Sequence, residues 1–192
     1  MHLINHRINN SADLDKLNQG FGVEIDLRYK NQEIILHHDP FKDGELFEEF
    51  LKKFNLTFII LNIKSEGIEE KVLRLVRKYK VPNYFFLDSS IPFMVKYIKK
   101  GWTKFAVRFS EYEPLELALR FKDKVDWVWV DCFNYLPINE KSYLELKKHF
   151  RICLVSPELQ GHPLSTIEDF KEQIKNFQID AVCTKRPDLW KS

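Results

Sequence analysis

With 192 residues the chain has material for one sizeable core and too little for two comfortable domains, so 1–192 reads as a single domain. Hydrophobic residues make up 44% and charged residues 30%, the balance of an ordinary globular protein. The 30 basic and 28 acidic groups are spread evenly to a net +2, which argues against a nucleic-acid partner, and no run approaches the roughly 20 apolar residues of a membrane span.

Along the chain, short apolar runs alternate with amphipathic segments. The first run, HLINH (2–6), follows Met1 directly and is expected to leave no room for a signal peptide. GVEIDL (22–27) comes next, and the KNQ turn joins it to EIILHH (33–38), read as a β extension of that strand. The later runs are FIILNI (58–63), YFFLD (84–88), KFAVRF (104–109), WVWVD (127–131), RICLVS (151–156) and DAVCT (180–184). Between them lie the helical patterns SADLDKLNQ, ELFEEFLKKF, IEEKVLRLVRKY, IPFMVKYIKKG, EPLELALRFK, NEKSYLELKKHF and TIEDFKEQIKNF. Eight strands with helices between them predict a parallel sheet of βα units, and eight units is the number that closes a compact (β/α)8 TIM barrel. An open doubly wound sheet is the alternative.

The three cysteines, Cys132, Cys153 and Cys183, stand isolated in apolar runs without CxxC spacing. They read as buried reduced thiols, which suits a cytoplasmic protein. Trp127 and Trp129 read as core residues, while Glu158 and His162 sit in a loop that either lines a site or faces solvent.

Side chains alternate along a strand, so Glu24 and Asp26 share one face, and Val23, Ile25 and Leu27 the other. Two carboxylates so close repel each other unless a cation or hydrogen-bond donors compensate, and Arg28 or a lysine or arginine of another strand is the candidate ion-pair partner. His6 and Arg7 end the first run, Asn62 and Lys64 end the third with matching parity, and Asp88 ends the fourth. Arg108 and Asp131 stand near the ends of the fifth and sixth. Barrel enzymes draw their catalytic residues from the C-terminal ends of several strands, so this distribution points to a site.

HR at the first strand, E-x-D on the second, HDP after the extension, I-K ending the third and TKRPD (184–188) closing the last together resemble the glycerophosphodiester phosphodiesterase family. The matches run in order from residue 6 to residue 188. The resemblance implies a phosphoric diester hydrolase with His6 and His38 as general acid and base. It implies Glu24 and Asp26 as ligands of a divalent cation, Mg²⁺ first with Ca²⁺ or Mn²⁺ as alternatives, and Asn62 at the position of a third, acidic ligand. Arg7 and Lys64 would contact the phosphate, and Asp88 and Arg108 would face the substrate. Three departures stand out: Ile8 follows Arg7 where the family has glycine, Asn62 replaces an acid, and the stretch 41–57 is short where the family inserts a covering segment.

The chemistry is coherent on its own terms. A cation offsets charge on the non-bridging oxygens, one imidazole takes the proton of the attacking hydroxyl, and the other protonates the leaving alkoxide. Imidazole suits both tasks because its ordinary pKa is about 6.5. The expected partner is a small-molecule or glycan- or lipid-derived phosphodiester. Two other outcomes stay open: a lyase forming a cyclic phosphate without metal, with Arg7 and Lys64 supplying the charge, and a barrel that only binds a phosphorylated ligand.

Overall fold

In the computed structural model, which describes residues 1–191, every apolar run of the sequence is a strand. The strands are β1 (His2–Asn5), β2 (Gly22–Lys30), β3 (Glu33–Leu36), the two-residue β4 (Glu45–Leu46), β5 (Ile59–Ile63), β6 (Tyr84–Leu87), β7 (Ala106–Phe109), β8 (Trp127–Val130), β9 (Arg151–Val155) and β10 (Ala181–Thr184). The helices are α1 (Phe47–Lys53), α2 (Glu69–Lys78), α3 (Ile91–Ile98), α4 (Leu115–Leu119), α5 (Glu140–Lys147), α6 (Thr166–Gln173) and α7 (Pro187–Trp190). SADLDK (Ser11–Lys16), in the first helical pattern, forms a 3-10 turn. No helix among the described residues is long and apolar enough to cross a membrane.

The chain forms two compact units, Asn5–Lys100 and Met1–Ile4 with the residues from Gly101 onward. In the first, the strand order is β4–β3–β2–β5–β6. β2 pairs parallel with β5 and β5 with β6, placing Asp26 opposite Asn62 and Asn62 opposite Leu87. β5 is buried along its whole length, as its unbroken run IILNI requires of a strand covered on both faces. α2 carries Glu69 and Glu70 in its first turn and Arg77 and Lys78 in its last, complementing its dipole, and buries Val72, Leu73 and Val76. α3 begins at Ser90, whose hydroxyl accepts the Phe93 N–H.

In the second unit the order is β7–β8–β9–β10–β1, with β7 to β10 paired in parallel. Trp127, Trp129 and Trp190 are buried in it, and the three cysteines are buried free thiols. A capping box between Asn139 and Ser142 opens α5.

The mixed α/β architecture agrees with the sequence, but the expectation of all-parallel strands closed into a barrel is corrected in two respects. β3 runs antiparallel to β2, and β4 antiparallel to β3. The cause is local: Asn31 and Gln32 both have positive φ (50° and 65°), the type I′ geometry of a two-residue hairpin. In addition, β6 and β7 each border a single ladder, so each unit's sheet is open at that edge and the ladders among the described residues do not close.

Candidate active site on the second strand

β2 presents Glu24, Asp26 and Arg28 on one face. Glu24 and Asp26 are 1% and 0% exposed, so neither carboxylate is offset by water. Compensation comes from the chain just after β1. The Arg7 N–H donates to Glu24 Oε2 at 2.8 Å, and the Ile8 N–H to the Glu24 carbonyl at 2.9 Å. Asn9 clasps Asp26 twice, donating from Nδ2 to Oδ2 at 2.8 Å and accepting the Asp26 N–H on Oδ1 at 2.8 Å. The turn that allows this puts Arg7 at φ 56°. The left-handed residue is thus the arginine, while Ile8 has no positive φ, which explains why the turn tolerates isoleucine there.

From β5, Asn62 Nδ2 donates to Glu24 Oε1 at 2.8 Å. Two cations approach the second carboxylate: Arg7 Nε lies 3.9 Å from Asp26 Oδ2, and Lys64 Nζ 3.7 Å from Asp26 Oδ1. Lys64 also donates to Asp88 Oδ2 at 3.2 Å, and Asp88, beyond β6, holds a left-handed backbone (φ 59°). Left-handed backbone at non-glycine residues costs on the order of 1 kcal/mol each and collects at functional sites. His6 Nε2 stands 3.8 Å from Glu24 Oε2. Burial, and then the charge of Asp26, push the Glu24 carboxyl up to about 7, against the hydrogen bonds from Asn62 and Arg7.

His6, Arg7, Glu24, Asp26, Asn62, Lys64 and Asp88 therefore form one contact network. His38 joins it through the backbone, because the neighbouring His37 N–H donates to the Asp26 carbonyl at 3.0 Å. Its imidazole is oriented by Asp39, with Nδ1 2.8 Å from Oδ1, and that bond holds the exposed Asp39 carboxyl below its usual range. His37 has a local role, its Nδ1 accepting the Asp39 N–H at 2.9 Å. Arg108 belongs to the other unit, where it donates to Asp131 at 2.8 Å and lies 3.8 Å from Glu113. Glu158 is also structural: it accepts from Ser156, from Thr184 Oγ1 and from the Lys185 N–H, which anchors the start of the TKRPD segment.

The donor set admits a hard cation. Asp26 Oδ1 and Asn62 Oδ1 are buried oxygens that accept no hydrogen bond among the described residues, and they belong to register partners. Both oxygens of Glu24 already accept hydrogen bonds. No group of three or more His, Cys, Asp or Glu positioned to hold a metal occurs among the described residues. Two oxygen donors with water and substrate completing the shell fit Mg²⁺, which seldom uses an all-protein cage.

Sequence reasoning missed Asn9, which lies in a loop and has no periodic signal. Of the two sources of compensating charge the sequence offers, Arg28 or a lysine or arginine of another strand, it is Arg7 and Lys64 that approach Asp26. Instead of pairing with the carboxylates, Arg28 donates to two backbone carbonyls, those of His38 and Lys64.

No family model and no curated protein matches this chain. Among solved structures, it is similar to a glycerophosphoryl diester phosphodiesterase from Parabacteroides distasonis, at 13% identity and a TM-score of 0.67, over 98% of this chain and 84% of that one. At that identity the likeness is one of fold.

Proposed function

We propose that this chain is a phosphodiesterase, turning a phosphodiester and water into a phosphomonoester and an alcohol. The observation that carries the reading is the network binding Glu24, Asp26, Asn62, His6, Arg7 and Lys64 at the strand ends of one sheet. The fold likeness to a solved phosphodiesterase supports it.

In this reading Arg7 and Lys64 bind the phosphate oxygens. A divalent cation, Mg²⁺ first, would sit on Asp26 Oδ1 and Asn62 Oδ1 and supply further charge to the developing phosphorane. His6, beside Glu24, and His38, oriented by Asp39, divide the proton transfers: one receives the proton of the attacking water and the other protonates the leaving alkoxide. Asp88 holds Lys64 in position. Arg108, paired with Asp131 in the other unit, is assigned no step. With only α1 and its flanking loops between β4 and β5, we assign substrates larger than free glycerophosphodiesters, glycan- or lipid-derived. The buried free thiols suit a cytoplasmic setting.

A second reading, metal-free cyclisation by a hydroxyl of the substrate, draws on Arg7 and Lys64 already standing 3.9 and 3.7 Å from Asp26. Purified protein assayed on glycerophosphodiesters, lysophospholipids, polysaccharide-linked diesters and an activated aryl diester, with Mg²⁺, Mn²⁺, Ca²⁺ or EDTA, separates them. Metal-dependent turnover lost in His6→Ala and Glu24→Ala supports the first reading, and turnover in EDTA that still needs His6 supports the second. Absence of turnover on every diester overturns both.

A further inference from the structure

The ladders on both sides of β2 end at the same residue. Leu27 pairs with Leu36 of β3 on one side and with Ile63 of β5 on the other. Past those points the chain leaves β2 at His37–His38 and at Lys64, two of the segments that carry proposed site residues from outside β2. One backbone bond holds each departure: His37 N–H to the Asp26 carbonyl, and Lys64 N–H to the Leu27 carbonyl at 2.9 Å. The Arg28 side chain then spans the gap. Its Nε and Nη2 donate to the His38 carbonyl at 3.0 and 2.6 Å, and Nη1 donates to the Lys64 carbonyl at 2.9 Å.

We propose that Arg28 is a positioning residue that fixes the His38 and Lys64 segments relative to each other, so that proton carrier and phosphate-binding cation keep one separation. This rests on the phosphodiesterase reading. The planar fork of guanidinium is what the task requires, since it serves two carbonyls at fixed angles, whereas an ammonium reaches one with certainty of neither direction. Arg28 makes no ion pair with a carboxylate among the described residues, so its bonds go to main chain alone. The fork leaves the reacting groups to other residues and acts through the segments that bear them. Misplacement of a reacting group by about 1 Å costs about 100-fold in rate, which sets the expected effect of removing the fork.

The test compares wild type, Arg28→Met and Arg28→Lys by amide hydrogen exchange, thermal unfolding and steady-state turnover of an activated aryl phosphodiester. Arg28→Met is expected to speed exchange at the His37 and Lys64 amides together and to lower kcat about 100-fold, with KM within about threefold and the pH midpoints of the rate unmoved. Arg28→Lys is expected to recover part of kcat and protection at one segment, and it keeps the test alive if Arg28→Met does not fold. A lower Tm with kcat intact would make Arg28 merely structural, and unchanged protection at both amides would remove the clamp; either overturns the proposal. If wild type turns over no diester, the phosphodiesterase reading fails by itself, and exchange at the two amides decides whether Arg28 couples the segments.

Discussion

Glu24 offers a perturbation whose size follows from its surroundings. Its carboxyl is enclosed beside Asp26, and burial with that neighbour's charge raises it from 4.5 to about 7. The unfolded chain releases the proton at the ordinary value, so between pH 4.5 and 7 the folded protein holds a proton that the unfolded one has lost. The stabilisation is therefore complete below pH 4.5 and disappears as pH rises through 7. At about 1.4 kcal/mol per unit, the span from 4.5 to about 7 corresponds to about 3 kcal/mol. Glu24→Gln removes the titration and keeps an acceptor for Asn62, at the cost of the bond from the Arg7 N–H. Urea unfolding of both proteins in EDTA, at several pH values from 4.5 to 8, isolates the group from the other carboxylates. The advantage of wild type over the variant should shrink by about 3 kcal/mol across that range. A gap that stays constant with pH would refute the reasoning, because it would mean that the donors around Glu24 fully compensate its charge.

Other expectations follow from the same network. Mg²⁺ at ten times its dissociation constant should stabilise wild type by about 1.4 kcal/mol, EDTA should reverse this, and Asn62→Ala should abolish it in a thermal-shift titration. Asn9→Ala takes two hydrogen bonds from buried Asp26 and should cost about 2 kcal/mol in urea unfolding; a loss under 0.5 kcal/mol would mean that water replaces the clasp. His6→Ala and His38→Ala should each lower kcat by about 100-fold or more while Tm changes little, and a variant retaining full turnover would remove that histidine from the chemistry. Gly44→Ala puts a Cβ onto the Leu36 carbonyl oxygen and should destabilise the protein by about 2 kcal/mol, read as a lower denaturation midpoint.

Much of this site was legible in the sequence, and the misses have physical causes. The alternation in VEIDL placed Glu24 and Asp26 on one face, and the parity of Asn62 with Lys64 agrees with both approaching that pair, Asn62 as the register partner of Asp26 and Lys64 through its ammonium. Strand direction was not legible, because period-two patterning is the same in parallel and antiparallel strands; the antiparallel β3 follows from two positive φ values at Asn31 and Gln32. Charge complementarity suggested Arg28 for the carboxylates, yet carbonyls left without partners where ladders end also attract a guanidinium. The other expected source, a cation from another strand, is the one observed, with Arg7 and Lys64 beside Asp26. Asn9 was invisible because a loop amide has no periodicity and acquires meaning only when the turn at Arg7 carries it back over β2. Arg108, read as facing the substrate, pairs with Asp131 and lies near Glu113, contacts that a strand-end position does not foretell.

The bonds that build the site also close short spans of chain: 17 residues for Arg7 to Glu24 and for Asn9 to Asp26, 24 for Lys64 to Asp88, and 38 for Asn62 to Glu24. Low sequence separation favours early closure during folding, before contacts between distant parts of the chain have to form. It also bears on how such a site diversifies. The loop entropy of the Asn62–Glu24 closure grows only logarithmically, by about 0.6 kcal/mol for each doubling of its length. The stretch 41–57 can thus lengthen or shorten with little thermodynamic penalty to that closure. Under the proposed phosphodiesterase reading, substrate range can then change by insertion in that stretch while the residues on β2 stay where they are.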